Sequence, residues 1–198
     1  MEDALYCQTL GADALGFIFY EKSKRYVNPV TAANITGELS PFTLKVGVFA
    51  NEPDIKKVRD IFYEAHLNII QLHGDESYDY IKGLGLPVIK SFRINDGFDF
   101  NVLKKYPGIT YLFDAHNEKG LGGTGEQFNW SVIPQSLNNK YILAGGISHN
   151  NLEDAIAMLK PMAIDVSSSL ESEPGKKDKE KTKIFFNKLK QIRRKQCS

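Results

Sequence analysis

Two patterns of apolar positions alternate along this chain. Short, nearly continuous apolar runs are separated by longer segments whose apolar residues recur at helical spacing. The runs read as strands over residues 13–19 (DALGFIF), 44–49 (LKVGVF), 69–72, 87–91 (PVIKS), 109–113, 141–144 (YILA) and 163–166 (AIDV). The spacing predicts helices over 2–10, ending at Gly11, and over 29–39, with Pro29 in the first turn. Further helices are expected over 53–66, carrying Ile55, Val58, Ile61 and Phe62, and over 77–83, 98–105 and 130–136. Another covers 149–159, with Asn150 and Asn151 near its start. The last covers 178–195, with an apolar stripe of Ile184, Phe185, Leu189 and Ile192.

Strand–helix alternation with apolar strands means a parallel sheet covered by helices. The short repeat leaves no room for a second domain, so a single α/β domain is expected over residues 1–198. An α/β barrel and an open doubly wound sheet both fit. The barrel is favoured because candidate functional residues follow almost every strand, whereas an open sheet gathers its site at one switch point. The count is uneven. Seven strands are visible and a helix comes first, so a closed eight-stranded barrel needs one more strand upstream of Met1.

Composition adds exclusions. Hydrophobic residues make up 42% and charged residues 25%, as in an ordinary soluble protein. A net charge of +1 provides no general attraction to nucleic acid or to a membrane. No apolar run reaches spanning length, and Met1-Glu2-Asp3 leads directly into a helical pattern rather than a signal peptide. Cys7 and Cys197 lack metal-type spacing. That argues against a disulfide framework or a zinc site and for the reducing cytoplasm.

Candidate chemistry gathers where strands end. Asp114 closes the fifth strand, just before Gly120-Leu121-Gly122-Gly123-Thr124-Gly125. A carboxylate there faces a site, and glycines let backbone N–H groups approach a ligand. An acid beside an anion-friendly loop suits proton chemistry on a phosphorylated small molecule. A strand-ending Asp that caps a turn fits the same residues. Gly145-Gly146 and Ser167-Ser168-Ser169 follow the last two strands, where barrels frequently bind phosphate. Arg25, in the loop after the first strand, suits two-point binding of a carboxylate, although a solvated basic loop has the same composition. Asn51, Gln71 and His73 stand near the ends of their strands. His73 reads as a lining or structural group rather than a catalytic one, and His66, His116 and His149 as surface or capping residues. The basic tail has acids and an apolar stripe, which reads as the solvated face of a closing helix.

Taken in order, GADALGFIFYEKSKRYV, KVGVFANE, QLHGDES, FDAH with GLGGTGEQFNW, AGGISHNN and AIDVSSSLESEPGKKD resemble the phosphoribosylanthranilate isomerase family over nearly the whole chain. The resemblance implies a (βα)8 TIM barrel. It also implies an Amadori rearrangement of N-(5-phosphoribosyl)anthranilate to 1-(2-carboxyphenylamino)-1-deoxyribulose 5-phosphate, in tryptophan biosynthesis. No metal or organic cofactor is implied, and the assembly is a monomer or a homodimer. On this basis Asp114 is the general acid that protonates the ribose ring oxygen. Arg25 binds the anthranilate carboxylate, Gly145, Gly146, Ser167 and Ser168 hold the phosphate, and His73 lines the substrate site. The family usually has Gly where Ser169 stands, so a positive φ there would carry strain.

The family's general base is a cysteine on a first strand, upstream of the EDA helix, in a segment this chain does not contain. Cys7 falls inside the first helix and reads as a packing residue. The expectation is a start assigned too late or a truncation, with little or no turnover by the chain as written. A non-catalytic phosphosugar-binding barrel is the alternative. A third possibility is another phosphosugar enzyme of the same fold, which Arg25 and the QLHG and GGTG segments disfavour.

Overall fold

A computed structural model describes residues 1–115 and 130–196. In chain order its elements are α1 (Glu2–Leu10), β1 (Ala14–Ile18), α2 (Pro29–Gly37), β2 (Leu44–Phe49), α3 (Ile55–Glu64), β3 (Ile69–Leu72), α4 (Tyr78–Leu84) and β4 (Val88–Arg93). They continue with β5 (Thr110–Asp114), β6 (Tyr141–Ala144), α5 (Leu152–Leu159), β7 (Ala163–Ile164), β8 (Glu171–Glu173), β9 (Lys176–Lys177) and α6 (Lys179–Gln196). The strands of the seven-stranded sheet follow one another from β1 to β7, and β8 and β9 form a separate antiparallel hairpin. Among the described residues no helix is long and apolar enough to cross a membrane.

The chain forms two compact units. The first comprises Met1–Lys90 and Glu171–Lys183, the second Ser91–Leu170 and Ile184–Ser198. In the first, β1, β2 and β3 pair in parallel, with Gly16 opposite Val46 and Val48 opposite Gln71. Helix starts there are set by local chemistry. Asn28 and Ser77 accept the Thr31 and Tyr80 N–H groups, and Asp54 accepts that of Lys56. Gly11, at φ 99°, ends α1 as expected. Phe19 and Phe49 stack at 5.2 Å, and Val58, Ile70, Leu72 and Leu84 are fully buried. In the second unit β5, β6 and β7 pair in parallel around Leu112, Phe113, Tyr141 and Leu143. The Tyr141 hydroxyl donates to the Leu159 carbonyl at 3.0 Å, and burial pushes its pKa up to about 12.

Several expectations change. Ala14 and Gly16 of β1 and Ala163 of β7 are exposed, on the two strands that each neighbour one other strand of the sheet among the described residues. β7 is two residues long, extended by one ladder bond from Asp165 N–H to Leu143 O before a 3-10 turn begins at Ser168. The 98–105 segment is a 3-10 helix over Phe100–Lys105, and 130–136 contains two 3-10 turns. α5 starts at Leu152 instead of residue 149, because the Asn151 side chain bonds the preceding loop. On α6, Phe185 and Ile192 of the expected stripe are buried, Leu189 is half-buried and Ile184 is exposed, with Thr182 and Phe186 buried on the same face. The β8–β9 hairpin has no counterpart in the sequence reading.

Candidate active site

Each predicted site residue within the described segments lies at or after the C-terminal end of its strand, where barrel enzymes build their sites. In the first unit, Arg25 follows β1 and meets a carboxylate of its own chain. Its Nε donates to both Oε1 and Oε2 of Glu171 at 2.9 Å, and Nη2 donates to Oε2 at 2.6 Å. The Arg25 side chain is 30% exposed and that of Glu171 5%. Lys177 Nζ lies 3.6 Å from Glu171 Oε1, and the Gly175 N–H donates to the same oxygen. Burial pushes the Glu171 pKa up, but the Arg25 hydrogen bonds and the Lys177 charge outweigh it and hold the carboxyl below its usual range.

The QLHG segment forms the loop after β3. His73 Nδ1 lies 3.2 Å from Gln71 Oε1. Beneath this loop is a buried ion pair. Lys90 Nζ donates to Glu76 Oε2 at 3.1 Å and to the Gly74 carbonyl at 2.5 Å. Glu76 also accepts the backbone N–H groups of Asn51 and Gly74. Asn51, exposed and at φ 53°, accepts the Asp75 N–H. Gly74 has no room for a side chain, since a Cβ there would fall 2.6 Å from the Asn51 backbone nitrogen. The glycine of QLHG is therefore required by close approach of two loops. His66 is exposed in the same unit.

In the second unit Asp114 ends β5, half-buried and in register with Ala144 of β6. Its carbonyl accepts the Ile94 N–H, and the following Ala115 N–H donates to the Ala144 carbonyl. Gly145 and Gly146 come directly after Ala144 at φ 82° and 67°, values open to glycine at little cost. Asn151 clamps their loop. It accepts the Ser148 N–H at 2.8 Å and donates to the Gly146 carbonyl at 2.9 Å. The Ser169 hydroxyl donates to the Ile147 carbonyl at 2.6 Å and so ties the loop after β7 to the loop after β6. Ser167 and Ser168 are exposed beside that tie. Ser169 lies in a 3-10 turn and is not among the positive-φ residues, so the departure from glycine carries no backbone strain. His149 is exposed.

Residues 120–125, His116 and Cys197 lie outside the described residues. Cys7 is buried within α1, and burial pushes its thiol pKa up, so it is a packing residue and no base. Sequence reasoning missed Glu171, Lys90, Glu76 and Asn151 as organisers of these loops. The Pro174-Gly175 turn signal was the available hint for the Glu171 hairpin.

The family model for N-(5'phosphoribosyl)anthranilate (PRA) isomerase matches residues 1–188. N-(5'-phosphoribosyl)anthranilate isomerase of Thermotoga neapolitana is 45% identical over 194 residues, covering 96% of this chain and 94% of that protein. The phosphoribosyl anthranilate isomerase structure from Thermotoga maritima superposes with a TM-score of 0.87 at 38% identity, covering 96% of this chain and 94% of that one. A phosphoribosyl anthranilate isomerase solved with reduced 1-(o-carboxyphenylamino)-1-deoxyribulose 5-phosphate gives a TM-score of 0.84 at 36% identity, covering 96% and 93%. The chain therefore has the α/β TIM-barrel fold of these enzymes and belongs to the phosphoribosylanthranilate isomerase family of tryptophan biosynthesis.

Proposed function

We propose that Asp114 is the general acid of the Amadori rearrangement of N-(5-phosphoribosyl)anthranilate, the isomerisation this family carries out. One observation carries the assignment. Asp114 pairs with Ala144, and the next two residues of that strand's chain are the glycines of the phosphate loop. The acid and the anion site thus start from adjacent positions in one sheet. The carboxyl proton passes to the ribose ring oxygen, the C1′–O bond breaks, and the anilinic nitrogen's lone pair forms the Schiff base. Transfer of the C2′ proton to a general base, which the family resemblance places on a cysteine outside residues 1–198, then gives the enolamine, and protonation at C1′ with loss of the C2′ hydroxyl proton gives the ketose. Gly145, Gly146, Ser167 and Ser168 hold the phosphate through N–H and hydroxyl donors. Arg25 binds the anthranilate carboxylate and His73 lines the substrate site. The protein acts as one phosphosugar-binding domain on a small-molecule substrate, as a monomer or homodimer in the cytoplasm, with no nucleic-acid partner.

An ordinary Asp ionises near pH 3.9, so an acid working at neutral pH must be raised by desolvation or by the substrate's anions. In an enzyme that also carries the family's first-strand cysteine, Asp114→Asn is expected to lower turnover by about 10²–10⁴-fold. Affinity for the reduced product analogue, read by calorimetry, stays within about threefold because the phosphate contacts remain. In that enzyme kcat falls with rising pH through a group titrating above the ordinary Asp range. A parallel loss of binding and turnover in Asp114→Asn would make Asp114 a binding residue instead.

A further inference from the structure

We infer that Glu171 is the positioning residue of the substrate-carboxylate site: it holds the side edge of the Arg25 guanidinium and leaves its end edge for the ligand. The inference rests on the assignment of Arg25 as the carboxylate binder. A guanidinium has two edges able to grip a carboxylate with paired N–H groups, the Nε/Nη2 side and the Nη1/Nη2 end. Glu171 occupies the first, through three contacts of 2.6–2.9 Å. Among the described residues Nη1 makes no hydrogen bond, and the Arg25 side chain remains 30% exposed. One guanidinium can therefore serve two carboxylates, a buried one that orients it and an incoming one that it binds.

Glu171 is itself firmly placed. It starts β8, its backbone carbonyl accepts Lys181 Nζ at 3.0 Å, and its Oε1 receives the Gly175 N–H at 3.3 Å. Gly175, at φ 87°, brings the hairpin turn against the Arg25 loop, where a Cβ would meet Arg25 Cα at 3.9 Å. Charge also fits the role. Lys177 Nζ, 3.6 Å from Glu171 Oε1, offsets part of the acid's charge, so the buried acid orients the guanidinium without fully cancelling its pull on an anion. A carboxylate 146 residues away in sequence that served only to hold the hairpin would not need both partners of the Nε/Nη2 edge.

Two ligands test this by calorimetry, the reduced product analogue and the same compound made from aniline, which lacks the carboxyl group. Arg25→Ala should weaken the first by roughly 30-fold or more and leave the second within about twofold. Glu171→Gln, which keeps the shape but loses the charge, should weaken the first by about tenfold and spare the second. In the Arg25→Ala background Glu171→Gln should have no further effect on either ligand. If Arg25→Ala weakens both ligands alike, the carboxylate assignment of Arg25 fails and takes the inference with it. If Arg25→Ala is selective while Glu171→Gln is silent, unselective or additive, Arg25 keeps its assignment and the positioning role of Glu171 is overturned. Should Glu171→Gln not fold, Glu171→Asp replaces it, with the carboxylate drawn back by one methylene. A selective loss is again expected, and a silent or unselective result overturns the inference.

Discussion

Lys90 places a full positive charge inside a parallel strand. It is 2% exposed, and its ammonium is satisfied by the Gly74 carbonyl and by Glu76. A buried pair of this kind costs most when one partner is removed, because the other is left uncompensated. Lys90→Met is expected to lower unfolding free energy by about 3–5 kcal/mol, read as a fall in the urea midpoint, and Lys90→Met with Glu76→Gln should lose less than Lys90→Met alone. Neither partner was legible as a pair in the sequence, since both sit in separate, ordinary contexts 14 residues apart. The place of Arg25 after an apolar run suited two-point binding of a carboxylate and equally a solvated basic loop. Its partner in the folded chain was not legible, because a local pattern says nothing about a residue brought in from the far end of the chain. Cys7 was legible as a packing residue because its helical phase, not its chemistry, decided its place.

Elements with strong patterns were read closely. β2, β3 and β6 match their expected bounds because short, mostly apolar runs (LKVGVF, IIQL and YILA) leave little else to form. α1 ends at its glycine for the same reason of unmixed signals. Mixed signals gave the differences. The stripe of α6 runs through residues 182, 185, 186 and 192, and Ile184 lies a third of a turn off that line despite being apolar. The β8–β9 hairpin escaped notice because its strands, ESE and KK, contain no apolar residue and depend on a turn and an ion pair. Loop packing also explains the glycine of QLHG. Gly74→Ala would set a Cβ 2.3 Å from Asn51 Oδ1, and a loss of about 1–3 kcal/mol is expected on chemical denaturation. Gly37→Ala, at the end of α2 with open space around it, should instead be neutral or gain up to about 1 kcal/mol.

The protein as a whole should be acid-labile in a specific window. The two lysines hydrogen-bonded to Glu153, Lys188 and then Lys195, bring its pKa to about 2, and Glu171 also lies below its usual range, through Arg25 and Lys177 against the opposing effect of burial. An unfolded Glu titrates near 4.3. The folded state therefore binds fewer protons than the unfolded one between these values. The associated stability is complete above the unfolded pKa and is lost as pH falls through the folded pKa. Glu153 is exposed, so salt screens its share and the buried Glu171 dominates. The melting temperature of the parent should drop as pH is lowered from 6 towards 3, and Glu171→Gln should show a flatter decline over the same range. An equal slope in both proteins would assign the lability to other carboxylates.

The first unit contains Met1–Lys90 but is finished by Glu171–Lys183, and the second unit's residues lie in between. During synthesis at about 5–20 residues per second, the 146 residues that separate Arg25 from Glu171 take on the order of ten seconds to emerge. Throughout that interval the nascent Arg25 loop lacks its anionic partner, while β1, β2 and β3 are already available to pair. The Arg25 loop thus waits for a partner made long after it, and through that interval it is open to chaperones and proteases.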